Sequence, residues 1–234
     1  MRGLDFQFMW ENLAMIAGGI KYTMMIAIVS IIIGTLIGLI TALFRMYKIP
    51  VMSQIANIYI AIIRGTPLMI QILVVYYGIP RFLNWVNYEL GTNMDVNSIP
   101  AMYFMYFCFS LYMGSYLSEL IRGCIAGVDP GQMEACYSVG MTTTQGMIRV
   151  VLPQAMVSAL PNFGNQFIGL VKDASLAFSV SIPEILGQAQ ILAGRSSRFL
   201  EAYLDAAIIY FIICLVFQKL LAIVEKRSRR HVRQ

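Results

Sequence analysis

Apolar positions in this chain come in unbroken runs longer than any soluble helix needs. Residues 22–44 carry no charged side chain and are bracketed by Lys21 and Arg45. A bilayer core of about 30 Å is crossed by about 20 helical residues, and this run is long enough. Further runs lie at 51–77, 99–117, 150–171 and 203–224. They predict about five transmembrane helices in one all-α membrane domain spanning residues 1–234. Alternation with period two, the mark of a membrane β-barrel, is the poorer description of runs this continuous.

The interval 123–149, between the third and fourth runs, is polar by comparison, and its local code predicts two short helices. Asp129 is placed to cap the first, with Pro130 at its first position and Gln132 completing a capping box; Thr142 and Gln145 repeat the device for the second. Met133, Cys136, Tyr137, Gly140 and Met141 fall on one helical face, with Glu134, Ser138 and Thr142 on another. Such a unit at a membrane surface reads as a docking plug, against the plainer reading of an amphipathic connector resting on the bilayer.

Composition agrees with a membrane protein: 59% of residues are apolar and 12% charged, about half the roughly 25% charged of soluble domains. The N-terminus mixes Asp5, Glu11 and aromatics before the first run, unlike a cleavable signal peptide, so that run is expected to stay. If it runs inward, Arg45, Lys48, Arg122, Arg149, Lys219, Lys226, Arg227, Arg229, Arg230 and Arg233 are cytoplasmic, against Arg2, Lys21, Arg81, Arg195 and Arg198 outside: ten to five. The positive-inside rule then predicts an external N-terminus and a cytoplasmic C-terminus. The net charge of +5 sits mostly in that tail, where it anchors topology and offers no nucleic-acid patch. Cys108, Cys124, Cys136 and Cys214 fall in or beside apolar helices at irregular spacing and read as packing residues, neither a disulfide framework nor a zinc site. The sixteen methionines and thirteen tyrosines are scattered as core filler and interfacial belt.

Glu134-Ala135-Cys136, three residues, Gly140, nine residues, then Val150, Leu152 and Pro153 is similar to the Glu-Ala-Ala…Gly…Ile-x-Leu-Pro loop of the membrane subunits of binding-protein-dependent ABC importers. Cys136 for alanine and Val150 for isoleucine keep the shape. The stretches IRGTPLMIQILVVYYGIP (63–80), SYLSELIRGCIAGVDPGQMEA (115–135) and LVKDASLAFSVSIPEILGQAQ (170–190) resemble blocks of the polar amino acid permease branch, so the resemblance covers nearly the whole chain. It implies a type I ABC importer transmembrane domain in a bacterial inner membrane. It also implies a second permease subunit, identical or related, two ATP-binding subunits and an extracytoplasmic amino-acid-binding protein. No Gly-x-x-x-x-Gly-Lys-[Ser/Thr] loop occurs, so ATP and Mg are expected on the partner ATPase and no cofactor on this chain. The polar loop is then the coupling helix, with Glu134, Ala135, Cys136 and Gly140 as ATPase-coupling residues.

Ionisable groups within the runs cost at least about 2.5–3.5 kcal/mol each on insertion scales, so each needs a partner or a cavity. Arg64 precedes Gly65, Thr66 and Pro67, which interrupt a helix and free backbone groups. On the amino-acid reading, Arg64 would take a substrate carboxylate and Glu119 its ammonium; the alternative is that Arg64 is a structural pin. Asn162, Asn165 and Gln166, with Pro153, Pro161 and Gly164, make the fourth run too polar and kinked to face lipid all round, so it is expected to line the pathway or to bond across a permease dimer. Lys172 and Asp173 are expected to pair separately near the outer gate, and Asp205 to reach the interface.

The alternative function is a self-sufficient secondary transporter or channel, which calls for internal repeats and an ion relay that five runs and Glu119 scarcely supply. A non-transporting scaffold would have no use for a polar, kinked fourth run. Among amino acids cystine is favoured because the phrase KDASLAFSVSIPEILGQAQILA resembles the cystine-type members of that branch, with glutamine, arginine and histidine as further options.

Overall fold

The computed structural model describes residues 4–232. Arg2 and Arg233, both counted in the charge asymmetry, lie outside them. Regular structure among the described residues is helical: α1 (Phe6–Ala17), α2 (Ile20–Met46), α3 (Met52–Gly65), α4 (Leu68–Leu90), α5 (Ala101–Ala126), α6 (Pro130–Ser138), α7 (Thr143–Gly146), α8 (Leu152–Asp173), α9 (Ile185–Ser196) and α10 (Phe199–Val232). A π-helical turn, Met147–Val151, leads into α8, and a 3₁₀ segment, Ala174–Val180, leads out of it.

Two continuous segments, Phe6–Met46 and Phe199–Ser228, are long and apolar enough to cross a membrane. Two more candidates are bent: α3 with α4 at 110°, and Thr143–Val180 with α9 at 45°. The run at 51–77 is thus divided between two helices that meet at Thr66–Pro67, where Pro67 cannot donate a helical hydrogen bond and Thr66 is extended (φ −123°, ψ 145°). The run at 99–117 falls in α5, 26 residues long, which is not among the segments apolar enough to count as a candidate span. Its tyrosines, serines and glycines make it less apolar than the others' best stretches, which suits a helix enclosed by protein.

The α2–α5 pair packs most extensively. Water-driven burial is absent between helices in lipid, so close backbone approach supplies the attraction. A Cβ on Gly34 or Gly38 would lie 2.9 Å from the Cβ of Met113 or Leu117, and one on Gly114 would lie 2.7 Å from Ile37. The main core forms around this seam, with Ile26, Ile72, Met105, Phe109, Leu117 and Leu170 buried. A second cluster gathers Ile16, Ile185, Ala189, Ala193, Ala202 and Ile209 from α1, α9 and α10.

The start of α1 is tied to the α9–α10 turn. Asp5 accepts from the Phe8 N–H at 2.9 Å and pairs with Arg198, whose guanidinium lies 4.6 Å from the Phe8 ring centroid. The Phe8 N–H, reinforced by Arg198, holds the Asp5 carboxyl below the usual carboxylate range. Asp205 departs from expectation: it is 2% exposed and does not reach the interface. The last helix begins at Phe199, earlier than the apolar run, and α1 and α9 pack on it, which places Asp205 inside the bundle.

Candidate functional site

The polar loop folds as two capped helices. Asp129 accepts from the Gly131 N–H at 2.8 Å with Pro130 at the first position of α6. Thr142 and Gln145 complete a capping box on α7. The box expected from Gln132 is not made: its side chain accepts from Gln154 Nε2 at 3.1 Å, tying α6 to the first turn of α8. Cys136 is buried, its Sγ 3.3 Å from the position a Cβ on Gly146 would take, so it faces inward where α6 and α7 cross. Glu134 and Ala135 are exposed. Gly140 lies beyond α6, not on its face, with φ 78°, a conformation glycine adopts without strain. Tyr137, expected beside Cys136, turns outward and is 52% exposed, and with Val139 and Ile148 it gives the loop an apolar outer surface.

At the α3–α4 break Arg64, Gly65 and Thr66 are all exposed. No carboxylate among the described residues lies within ion-pair distance of Arg64. Its guanidinium instead sits 5.1 Å from the Tyr116 ring centroid. Tyr116 packs on Tyr112 at 4.8 Å between centroids, and the Tyr112 hydroxyl donates to Asp173 Oδ2 at 3.4 Å. Arg64 and Asp173 are therefore the two ends of one file of side chains crossing α5. Lys172 is exposed and lies about 100° round the helix from Asp173.

Glu119 belongs to a different cluster. Its Oε1 accepts from Arg45 at 2.5 Å and its Oε2 from Arg122 at 2.9 Å, while Arg45 Nε donates to Asn57 at 2.7 Å. Both oxygens are thus engaged, and α2, α3 and α5 are joined at one end of the bundle. Beside it runs a groove of ≈370 Å³ lined by Glu119, Gly123, Ser158 and Asn162, continuous through Gly127 and Ser158 with a second of ≈510 Å³ lined by Asp129, Gln154 and Pro161. Ser158, Asn162, Asn165 and Lys172 are exposed on α8. At about 100° per residue they fall within about 40° of one line along the helix. Gln166 flanks this stripe and is half-buried.

Three residues were not singled out in the sequence. Tyr112 and Tyr116 stand four apart on α5, a spacing that places them on one face and was the only signal available. Glu184 is fully buried and caps α9, accepting from the Leu186 and Gly187 N–H groups at 3.0 and 2.7 Å and from the Tyr210 hydroxyl at 2.6 Å. An acidic residue after Pro183 and before an apolar stretch was its cap signal.

Residues 34–230 match the family model described as binding-protein-dependent transport system inner membrane component. The chain is 34% identical over 230 residues to the L-cystine transport system permease protein TcyL of Bacillus subtilis (strain 168), covering 98% of this chain and 94% of the relative. It is 37% identical over 217 residues to the probable amino-acid ABC transporter permease protein PatM of Vibrio harveyi, covering 93% of each. A solved structure of an amino acid ABC transporter with histidines superposes with a TM-score of 0.84 at 34% identity, covering 97% of this chain and 100% of that one. The architecture is that of an ABC importer membrane domain of type I, a transport component and not an enzyme. The chain belongs to the binding-protein-dependent transport system inner membrane component family.

Proposed function

We propose that the chain is the permease subunit of an ATP-driven, binding-protein-dependent importer of a polar amino acid, with cystine as the favoured cargo. The observation that carries the cargo reading is the Arg64 site, a guanidinium stacked on an aromatic ring and unpaired with any carboxylate among the described residues. Arg64 offers two parallel donors to an α-carboxylate, with Gly65 and Thr66 at the broken helix end beside it. Asp173, at the far end of the tyrosine file, is the partner for an α-ammonium. It suits that role better than Glu119, whose oxygens are already taken by Arg45 and Arg122. The α8 stripe of Asn162, Asn165 and Lys172, flanked by Gln166, lines the path toward the grooves above the coupling loop. Transport at TcyL, a permease named for L-cystine, supports cystine here, while the histidines of the solved relative keep histidine as a competitor.

The exposed face of α6 and its turn, with Glu134, Ala135, Tyr137 and Gly140, seats in the ATPase subunit, and the inward-facing Cys136 holds α6 on α7. ATP and Mg bind to two such subunits, and an extracytoplasmic binding protein delivers the cargo at the opposite face. A second permease, identical or related, completes the path, with the N-terminus external and the C-terminus cytoplasmic. A competition experiment on the full complex in liposomes tests the cargo: labelled cystine is taken up, and unlabelled cystine suppresses uptake more strongly than glutamine, arginine or histidine. Uptake of one of those three in preference to cystine would overturn the choice.

A further inference from the structure

The break between α3 and α4 strands the last carbonyls of α3, and inside a membrane such groups must find donors within the protein. One side chain serves three oxygens there. Gln71 Nε2 donates to the Ile63 carbonyl at 2.7 Å, to the Thr66 carbonyl at 3.0 Å and to the Thr66 hydroxyl at 2.9 Å. The Thr66 hydroxyl in turn donates a hydrogen bond to the Ile62 carbonyl at 2.9 Å. An amide nitrogen has only two N–H bonds, so at least one is shared, and reversing the amide would turn its oxygen onto two carbonyls. Gln71 is 9% exposed, and its own Oε1 is buried without a partner among the described residues. Its contribution is therefore the donor end. The crevice around it, ≈260 Å³ and walled by Ile62, Ile63, Ile70, Val74 and Val75, offers no other polar side chain than Thr66 and Gln71 beyond the thiol of Cys108.

The two carbonyls that receive Gln71 bracket Arg64 and Gly65. Were they left unsatisfied, a strong donor close by in sequence would be the Arg64 guanidinium itself. We propose that Gln71 is a positioning residue for the substrate site: by occupying the Ile63 and Thr66 oxygens it fixes the 110° elbow and leaves the Arg64 guanidinium free over Tyr116 to receive a carboxylate. This rests on the reading of Arg64 as a cargo contact. Gln71 touches no cargo and acts through Arg64.

A double-mutant cycle on the complete transporter in liposomes, with its ATPase subunits and binding protein, tests both layers. Gln71→Met keeps the side-chain length and removes the donors; Gln71→Asn keeps an amide one methylene too short to span the same oxygens. Arg64→Ala is expected to lower uptake at least tenfold, Gln71→Met about fivefold and Gln71→Asn by less. Residues acting through one another are non-additive, so each Gln71 variant combined with Arg64→Ala should transport within about twofold of Arg64→Ala alone. Losses that multiply, or a Gln71 defect seen only as reduced assembly with normal uptake per assembled complex, would overturn the inference and leave the Arg64 reading intact. Wild-type uptake by Arg64→Ala would overturn the reading beneath it.

Discussion

Arg64 and Glu119 show how far a single ionisable residue can be interpreted from sequence. Both lie in apolar surroundings and both call for partners. Sequence adjacency to Gly65 and Pro67 correctly marked Arg64 as sitting at a helix break, because proline and glycine act locally. It gave no means of seeing that Glu119 is held by Arg45, 74 positions away, or that Asp173 meets Arg64 through two tyrosines. Those pairings depend on how α2, α3, α5 and α8 pack. The same limit applies to Asp205, whose burial is set by α1 and α9 and by no feature of its own run. If Arg64 clamps a carboxylate, Arg64→Lys keeps the charge and loses the planar fork. Uptake should then fall about tenfold, the ratio that about 1.4 kcal/mol of lost transition-state or binding stabilisation produces, with yield and basal ATPase rate as in the parent. Measuring uptake and ATPase on the same preparation separates this from a structural pin, which would lower yield even without cargo.

At the scale of elements, the parts legible in the sequence are those with short-range causes. Apolar length located the long helices but not the 110° break inside the run at 51–77, and Asp129, Pro130, Thr142 and Gln145 located α6 and α7, because capping involves groups within a few residues of one another. The Gln132 box failed for a tertiary reason: Gln154 on α8 captured the side chain. The position of Gly140 was misjudged because α6 ends at Ser138 and the chain then turns through φ 78°. That turn aims the loop's outer surface. Gly140→Val places a β-branched residue in the left-handed region, at a cost of roughly 1–2 kcal/mol, and should uncouple transport by displacing the turn. Glu134→Lys, on the exposed face of α6, should weaken ATPase retention without moving the loop. Co-purification of the ATPase and ATP-driven uptake are the readouts. Both variants should insert at parental levels, and normal coupling in both would remove this loop from the contact with the ATPase.

Taken as a whole molecule, the described residues present their polar helix face at the surface. The α8 stripe faces outward, and the grooves of ≈370 and ≈510 Å³ beside Ser158 lie open on the surface of a single copy. Polar side chains are costly against lipid, and the proposed second permease chain would cover them. Cysteines introduced at Asn162 and Asn165, each on the stripe, should cross-link to the partner permease in the assembled complex, and labelling by a lipid-confined reagent in place of cross-linking would contradict the arrangement. The family match is to the inner membrane component of binding-protein-dependent transport systems, and the capped loop is proposed to be where ATP drives this machine from one side. A transporter that works alone would instead couple cargo to an ion gradient through relays within its own chain. The measurement that separates these most directly is amino-acid uptake into liposomes holding the purified permease with and without its ATPase subunits. The account predicts uptake only with the ATPase present, with ATP on its side and with the binding protein on the other, and none from an imposed proton or sodium gradient. Gradient-driven uptake by the permease alone, independent of ATP, would contradict it.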